Sequence, residues 1–328
     1  MVKWANYEYW PWWFFYSPIL PYWFWLSIKT RSLTFFTITN TNIEMGGFFG
    51  ESKIDILKQI HDDYCPKTIF IEQNDPIHVI QRNNIPFPLI AKPNIGERGF
   101  KVEKINNNAA LTKYHNDVLC DYILQEFIDY PIELGVFYYR LPNDEKGFVT
   151  SIAIKEFMTV TGDGKSNILE LMDECPRARF QIKSMKKKLG QKINMIIPKD
   201  EKLLLEPIGN HCRGTRFING NYLINEKLHI VFNNITKNMN GFYYGRFDLK
   251  VKSIDDLYEG KNIKIMELNG ASSEPGHIYD SSYGLVNAYR NLMFHWNILA
   301  NIAIQNKSKG IKPSSFKAVV KTLYNHLL

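Results

Sequence analysis

The sequence predicts an α+β protein, and three features carry that expectation. Two short runs, RFDLKV (246–251) and IKIMELN (263–269), alternate as strands do and are separated by a turn-rich gap. The apolar run FPLIAKP leads through a glycine-containing turn into a second strand-like run, FKVEKI, and then into helical periodicity in ALTKYHNDVL. The tail from Ser282, with GLVNAYRNLMFHWNILANIAIQ, keeps a helical period and is expected to pack as a C-terminal helix, His295 and Trp296 serving packing.

The first pair of runs also points to chemistry. In a strand, residues i and i+2 share a face, so Arg246 and Asp248 project together, as do Glu267 and Asn269. If the two runs are neighbours, Asp248, Glu267 and Asn269 converge with Arg246 beside them. Such an all-oxygen set suits Mg²⁺, or Mn²⁺ in its place, which keeps part of its shell for phosphate and water. The same residues also read as charges on the solvent face of a hairpin.

The chain has 328 residues, 45% hydrophobic and 22% charged, the balance of a globular protein of two or three subdomains. A formal net charge of +7 favours anionic partners such as nucleotides, acidic substrates or a membrane surface. No domain-sized basic stripe with interleaved aromatics points to nucleic acid. Cys65, Cys120, Cys175 and Cys212 are far apart and form no CxxC pair, so a reducing cytoplasm is the expected compartment.

Taken from the start, the chain opens on thirteen aromatic residues in the twenty-two from Trp4 to Trp25. Pro11, Pro18 and Pro21 interrupt the segment, which therefore makes a poor membrane-spanning helix, and its front end lacks the basic character of a signal peptide. Trp and Tyr favour the membrane–water interface, and Lys29 and Arg31 follow at once. Two readings stand: residues 4–31 contact a membrane peripherally, at its inner face, or they form a strap packed on the protein or in a homodimer interface. Residues 33–50 are expected to form one strand ending in a turn at Gly46 and Gly47. Ser52 should cap a helix running to Ile60, with a strand over 68–73 and a short helix in DPIHVIQRNN after it.

In the next stretch, the turn NIGERG (94–99) lets backbone amides approach phosphate, because glycine removes the Cβ obstacle. YILQEFI (122–128) reads as a strand, and IELGVFYY begins another, so Glu126 and Glu133 stand at successive strand ends. Residues 151–172 read as a strand, a GDG turn and a helix; KSMKKKLGQK reads as a solvated helix face. The polar loop 207–220 contains His211, Arg213 and Arg216, and its arginines could bind a carboxylate or phosphate bidentately.

The order of these features resembles the ATP-grasp fold, particularly D-alanine–D-alanine ligase-like members, over about residues 86–280. It runs from IAKP and its glycine loop through Glu–x6–Glu and AIKEF to R-x-D and E-x-N, and TGDGK-S-x-x-x-L is similar to a stretch in cyanophycin-synthetase-like enzymes. The resemblance implies an aromatic-rich N-terminal region with a reduced leading subdomain (1–85), then an ATP-grasp domain (86–328) divided into a nucleotide lid (86–134) and a metal-binding and catalytic part (135–328). On it, Lys92 and Lys155 contact the phosphates of ATP, with Lys155 favoured over Lys165, and the loop carrying Gly96, Arg98 and Gly99 closes over them. Glu126 and Glu133 hold adenine and ribose; Asp248, Glu267 and Asn269 hold Mg²⁺; Arg246 stabilises the developing oxyanion; Arg213 and Arg216 are substrate candidates. The implied reaction is ATP-dependent joining of a carboxylate to an amine or thiol through an acylphosphate. A phosphotransferase and a non-catalytic, membrane-associated nucleotide-binding module are the alternatives. One departure matters: GASSE stands between E-x-N and Pro275-Gly276, where the ligases have a Ser-Pro-Gly turn almost directly, so the D-alanine pocket is not carried over.

Overall fold

The computed structural model of the protein describes residues 6–48, 50–82, 85–96, 99–209 and 213–327. Its strands are β1 (Thr68–Ile71), β2 (Leu89–Pro93), β3 (Glu103–Ile105), β4 (Tyr122–Glu126), β5 (Ile132–Tyr139), β6 (Phe148–Glu156), β7 (Thr159–Thr161), β8 (Lys202–Leu204), β9 (Arg216–Asn219), β10 (Tyr244–Val251) and β11 (Ile263–Asn269). Chain contacts divide the molecule into two units, Met1–Ile154 with Asn219–Leu328, and Lys155–Ile218. Antiparallel sheets and helices are mixed throughout, as the α+β expectation requires.

The larger unit holds two antiparallel sheets. The first has the order β1-β4-β2-β3 and buries Leu89, Ala91, Ile105, Tyr122 and Leu124 against Leu111 and Tyr114 of the helix Asn108–Asp117. In the second, β11, β10, β5 and β6 are successive neighbours. One face of this sheet, with Leu134, Val136, Tyr138, Phe247 and Leu249, packs on Leu228, Phe232 and Ile235 of the helix Glu226–Thr236. The opposite face carries Phe137 and Tyr244 into a second core with the helices Leu20–Thr30 and Leu285–Ser308.

Residues 33–50 do not form the expected strand. They make 3₁₀ turns at Phe35–Ile38 and Glu44–Gly46. All six residues from Phe35 to Asn40 are buried, which a strand with one face in the core cannot achieve. Thr37 Oγ1 donates to Thr34 O, Asn40 Nδ2 donates to Gly46 O and Tyr244 O, and Asn306 Nδ2 donates to Ile38 O. The helix after Ser52 ends at Leu57, and the run FKVEKI keeps only Glu103–Ile105 as strand. The cap is as expected, with Ser52 Oγ accepting from Asp55 N.

The smaller unit pairs β7 with β8 and packs the helices Ile168–Glu174 and Ile182–Leu189 around Met158, Val160, Met172 and Met185. Asn167 and Glu170 form a reciprocal capping box at the first of these helices. In the TGDGK turn, Asp163 accepts from the backbone amides of Lys165 and Ser166. Those amides are thereby used within the turn and do not form a phosphate cradle.

Two histidines are sealed in the larger unit. His277 Nδ1 lies 2.6 Å from Ser151 Oγ, and His295 Nδ1 lies 3.4 Å from Tyr244 OH, between the rings of Phe137 and Phe294. Burial pulls their pKa values down to about 4 and about 3. Both are therefore neutral in the native state while the unfolded chain takes up protons below about 6.5. Stability is full above that pH and falls as pH drops towards 4, by up to about 1.4 kcal/mol per unit for each ring. Thermal melts of His295→Phe against the parent between pH 7 and pH 4 should show a shallower decline in the variant; parallel curves would overturn this assignment.

Candidate active site

The site is built on one irregularity in the ladder between β10 and β11. Arg246 faces Asn269, Phe247 faces Leu268 and Asp248 faces Glu267, but Leu249 faces Ile265, so Met266 is an extra residue. Ile263 and Ile265 point into the core shared with the helix Glu226–Thr236. With strict alternation Glu267 and Asn269 would follow them there. The bulge reverses the parity, sends Leu268 into that core instead, and turns Glu267 and Asn269 to the face of Arg246 and Asp248.

Three of the four side chains are joined by hydrogen bonds on this face, and Glu267 stands opposite Asp248 in the ladder. Arg246 Nε and Nη2 donate to the two carboxylate oxygens of Asp248 at 3.2 and 3.1 Å, and Asn269 Nδ2 donates to Asp248 Oδ2 at 3.0 Å. Gly135, opposite Asp248 on β5, leaves room for this cluster: a Cβ there would lie 3.3 Å from Asp248 Oδ1 and 3.4 Å from Arg246 Cδ. Just beyond Asn269, Gly270 sits against the Gly46-Gly47 turn, and Ala271 N and Ser272 N donate to the two glycine carbonyls. Gly47 has φ +77°, and a Cβ on it would lie 2.7 Å from Gly270 Cα, so the turn serves close backbone contact within the chain.

Lys92 reaches this face from the neighbouring sheet. Its Nζ donates to Gln125 Oε1 at 3.1 Å and to the carbonyl of Met266, the bulged residue, at 3.0 Å. Burial draws the Lys92 ammonium down to about 8, with Lys53 adding to the fall; the carboxylates of Glu267, Asp248 and Glu133 oppose it. Lys53 is a site residue that nothing in the sequence marks. It lies 4.0 Å from Glu267 Oε1 and donates to Gly96 O at 2.5 Å, tying the glycine loop to the carboxylate. Buried Asn94 holds the same junction, accepting from Ile54 N and donating to Ser52 Oγ. Gly96 and Gly99 both have positive φ, and Arg98 lies outside the described residues.

The carboxylates expected at the nucleotide are engaged within the protein. Glu126 Oε2 accepts from Lys67 N at 3.2 Å. Buried Glu133 lies 3.9 Å from Lys250 Nζ, which also donates to Ile128 O. Lys155, Arg213 and Arg216 belong to the smaller unit. Lys155 is buried with its ammonium 5.9 Å from the Phe217 ring centroid; Arg216 pairs with Glu156 at 3.4 Å, and Arg213 lies 3.8 Å from buried Glu206. Residues 216–219 are strand rather than loop, and His211 lies outside the described residues.

Among the described residues no group of three or more His, Cys, Asp and Glu side chains is placed to hold a metal ion. The candidate set is two carboxylates across the ladder with an amide, a chemistry that fits a hard cation retaining water or phosphate oxygens. Both Asp248 oxygens carry Arg246, so a cation at this position shares Asp248 with the guanidinium.

The GASSE insertion adds a group that the motifs do not contain. Glu274 accepts at Oε2 from Tyr279 OH, and its main-chain carbonyl accepts from Arg246 Nη1 at 3.2 Å. Burial raises its carboxyl to about 7, with the Tyr279 hydrogen bond opposing the rise. The native state holds this proton where the unfolded chain has released it. The contribution to stability is therefore present below about 4.5 and lost as pH rises to about 7. Glu274→Gln should flatten that loss in melts taken across this window, and an unchanged pH slope would refute it. Removing the cation beside Glu133 in Lys250→Met should destabilise by about 3 kcal/mol in denaturant titrations, with much of the loss recovered in the Lys250→Met/Glu133→Leu double variant.

No protein-family model matches the sequence, and no curated protein matches it. Solved structures do. The bifunctional glutathione synthetase from Pasteurella multocida is 16% identical, over 74% of this chain and 35% of that one, with a TM-score of 0.37. D-alanine–D-alanine ligase from Bacillus anthracis is 12% identical over 79% of this chain and 69% of that one, with a TM-score of 0.45. The D-Ala:D-Ser ligase from Enterococcus faecalis is 14% identical over 74% and 57%, with a TM-score of 0.40.

Proposed function

We propose that this protein is an ATP- and Mg²⁺-dependent ligase of the ATP-grasp type, joining a carboxylate to an amine, or to a thiol, with release of ADP and phosphate. The observation that carries the reading is the bulged ladder, which turns Asp248, Glu267 and Asn269 to one face together with Arg246. An oxygen of the substrate carboxylate attacks the γ-phosphorus of ATP, the bond to ADP breaks, and an acylphosphate forms. The amine nitrogen then attacks the acyl carbon, phosphate leaves, and the amine gives up a proton. Asp248, Glu267 and Asn269 would hold Mg²⁺, which would supply charge neutralisation at the transferring phosphoryl group.

The remaining work belongs to the chain. The Lys92 ammonium, fixed by Gln125 and the Met266 carbonyl, presents a preorganised positive charge. Arg246, braced by Asp248 and the Glu274 carbonyl, is positioned for the developing oxyanion. The 94–100 loop, tied at Gly96 by Lys53, excludes water from the acylphosphate. Glu126 and Glu133 as adenine and ribose contacts, and Lys155, Arg213 and Arg216 as phosphate and substrate contacts, are part of the proposal on the motif resemblance. The substrates are small carboxylates and amines; an amphiphilic substrate drawn from a membrane surface is the finer part of the reading, in keeping with the exposed aromatic residues near the N-terminus.

ATP consumption by the purified protein with Mg²⁺, across pools of carboxylates and amines, tests the proposal. ADP and phosphate should appear together only when both substrate classes are present. ADP without free phosphate would make it a phosphotransferase, and tight ATP binding without turnover a binding module. Glu267→Gln should lower turnover by about 10²-fold or more with the melting curve retained. Undiminished turnover in that variant would sink the metal assignment.

A further inference from the structure

The helices Trp12–Tyr16 and Leu20–Thr30 have one side built into the protein and one side facing outward. Inward, Phe15 and Ile19 pack with Ile278, Ala288 and Leu292, and Leu26 with Ile298, Leu299 and Ile302. Tyr16 stacks on Trp296, and Tyr7 OH donates to the carbonyls of Ile278 and Asp280. Outward, Trp12 is 69% exposed, Trp13 58%, Phe24 57%, Trp25 50% and Ile28 76%. Exposed side chains of this size and number are concentrated on two successive short helices. The C-terminal helix Phe316–Leu327 repeats the arrangement: Val319 is buried in the same core, while Phe316, Val320 and Tyr324, at i, i+4 and i+8, are exposed.

Charge is segregated in the same way. Residues 9–43 and 281–328 contain eight Lys and Arg and not one Asp or Glu. The rest of the chain then holds 32 cations against 33 carboxylates, so the layer carries +8 and the remainder −1 of the net +7. Trp and Tyr with a wet polar tip, beside Lys and Arg without acidic neighbours, match the headgroup region of an anionic bilayer. A second copy of the chain fits less well, because eight cations would meet eight cations with no carboxylate to pair them. No helix among the described residues is long and apolar enough to cross a membrane, so contact would be interfacial.

We propose that the layer of residues 9–43 and 281–328 docks this protein onto an anionic lipid bilayer, the Trp12–Ile28 side chains entering the headgroup region and the basic residues of both segments drawing the layer to the surface. Arg31, at the C-terminal end of the helix Leu20–Thr30, adds a cation to this side. It lines an apolar crevice of ≈ 410 Å³ with Phe24, Ile28 and Leu33, placing a cation beside the aromatic face. This inference is independent of the ligase reading and holds whatever the chemistry of the site.

The test is flotation of the full chain with vesicles of phosphatidylcholine alone and of phosphatidylcholine with phosphatidylglycerol. Binding should require phosphatidylglycerol and weaken as salt rises. The triple variant Trp12→Ser/Trp13→Ser/Trp25→Ser should lose at least about tenfold in affinity with its melting curve kept, since all three side chains face outward. Arg31→Glu/Lys317→Glu/Lys321→Glu should lose at least about tenfold on anionic vesicles with its aromatic face intact. Absence of binding, or equal salt-insensitive binding to neutral vesicles, would overturn the proposal. So would a dimer in sedimentation equilibrium that the aromatic substitutions dissociate, which would make a second copy the occupant.

Discussion

The β-bulge at Met266 is the constraint on which the candidate site depends. A regular ladder preserves side-chain parity over its whole length, so a strand with Ile263 and Ile265 in the core would bury Glu267 and Asn269 with them. Two polar groups in that apolar environment would be strongly unfavourable. One extra residue resolves the conflict, letting a single short strand serve the core at one end and the polar face at the other. It also presents the Met266 carbonyl to Lys92. The first sheet, which carries Lys92 on β2, is thereby attached to the site through the same irregularity that creates it.

Around this point the charges are arranged as a chain of partners rather than as isolated pairs. Asp248 receives Arg246 and Asn269, Arg246 continues to the Glu274 carbonyl, and Glu274 continues to Tyr279. Tyr279 lies 6.1 Å, ring to ring, from Phe15 of the aromatic segment. The N-terminal residues are thus packed directly on the element that braces Arg246. Membrane contact at their outward side and support of the site at their inward side are compatible, because different side chains serve each.

The contrast between the two halves of this segment's chemistry explains its composition. A strap needed only for packing would require the buried residues Phe15, Ile19 and Leu26, with polar residues between them. Instead the outward positions include Trp12, Trp13, Phe24 and Trp25, and acidic residues are missing from 9–43 altogether. Packing on the helix Leu285–Ser308 accounts for the first set and not for the second.

The sequence by itself determined the α+β class, the strands carrying R-x-D and E-x-N, the hairpin after IAKP and the long C-terminal helix, because each has a local period of two or near 3.6 that the backbone obeys. It also paired Arg246 with Asp248 and Glu267 with Asn269, since i and i+2 spacing survives wherever the strands are placed, whereas the bulge at Met266 brings the two pairs to one face. What only the tertiary structure decided lies in long-range contact. Residues 35–40 read as a strand but are buried in part by Tyr244 and the helix Leu285–Ser308, over two hundred residues away, a packing that no local pattern encodes. Lys53, on a short helix with no motif, acquires its place at Glu267 only when that helix docks beside β11. Glu126 and Glu133 looked available for a ligand, yet Lys67 N and Lys250 lie against them in the folded chain. Local periodicity reports which way a side chain points from its own backbone; what it meets there is set by the rest of the chain.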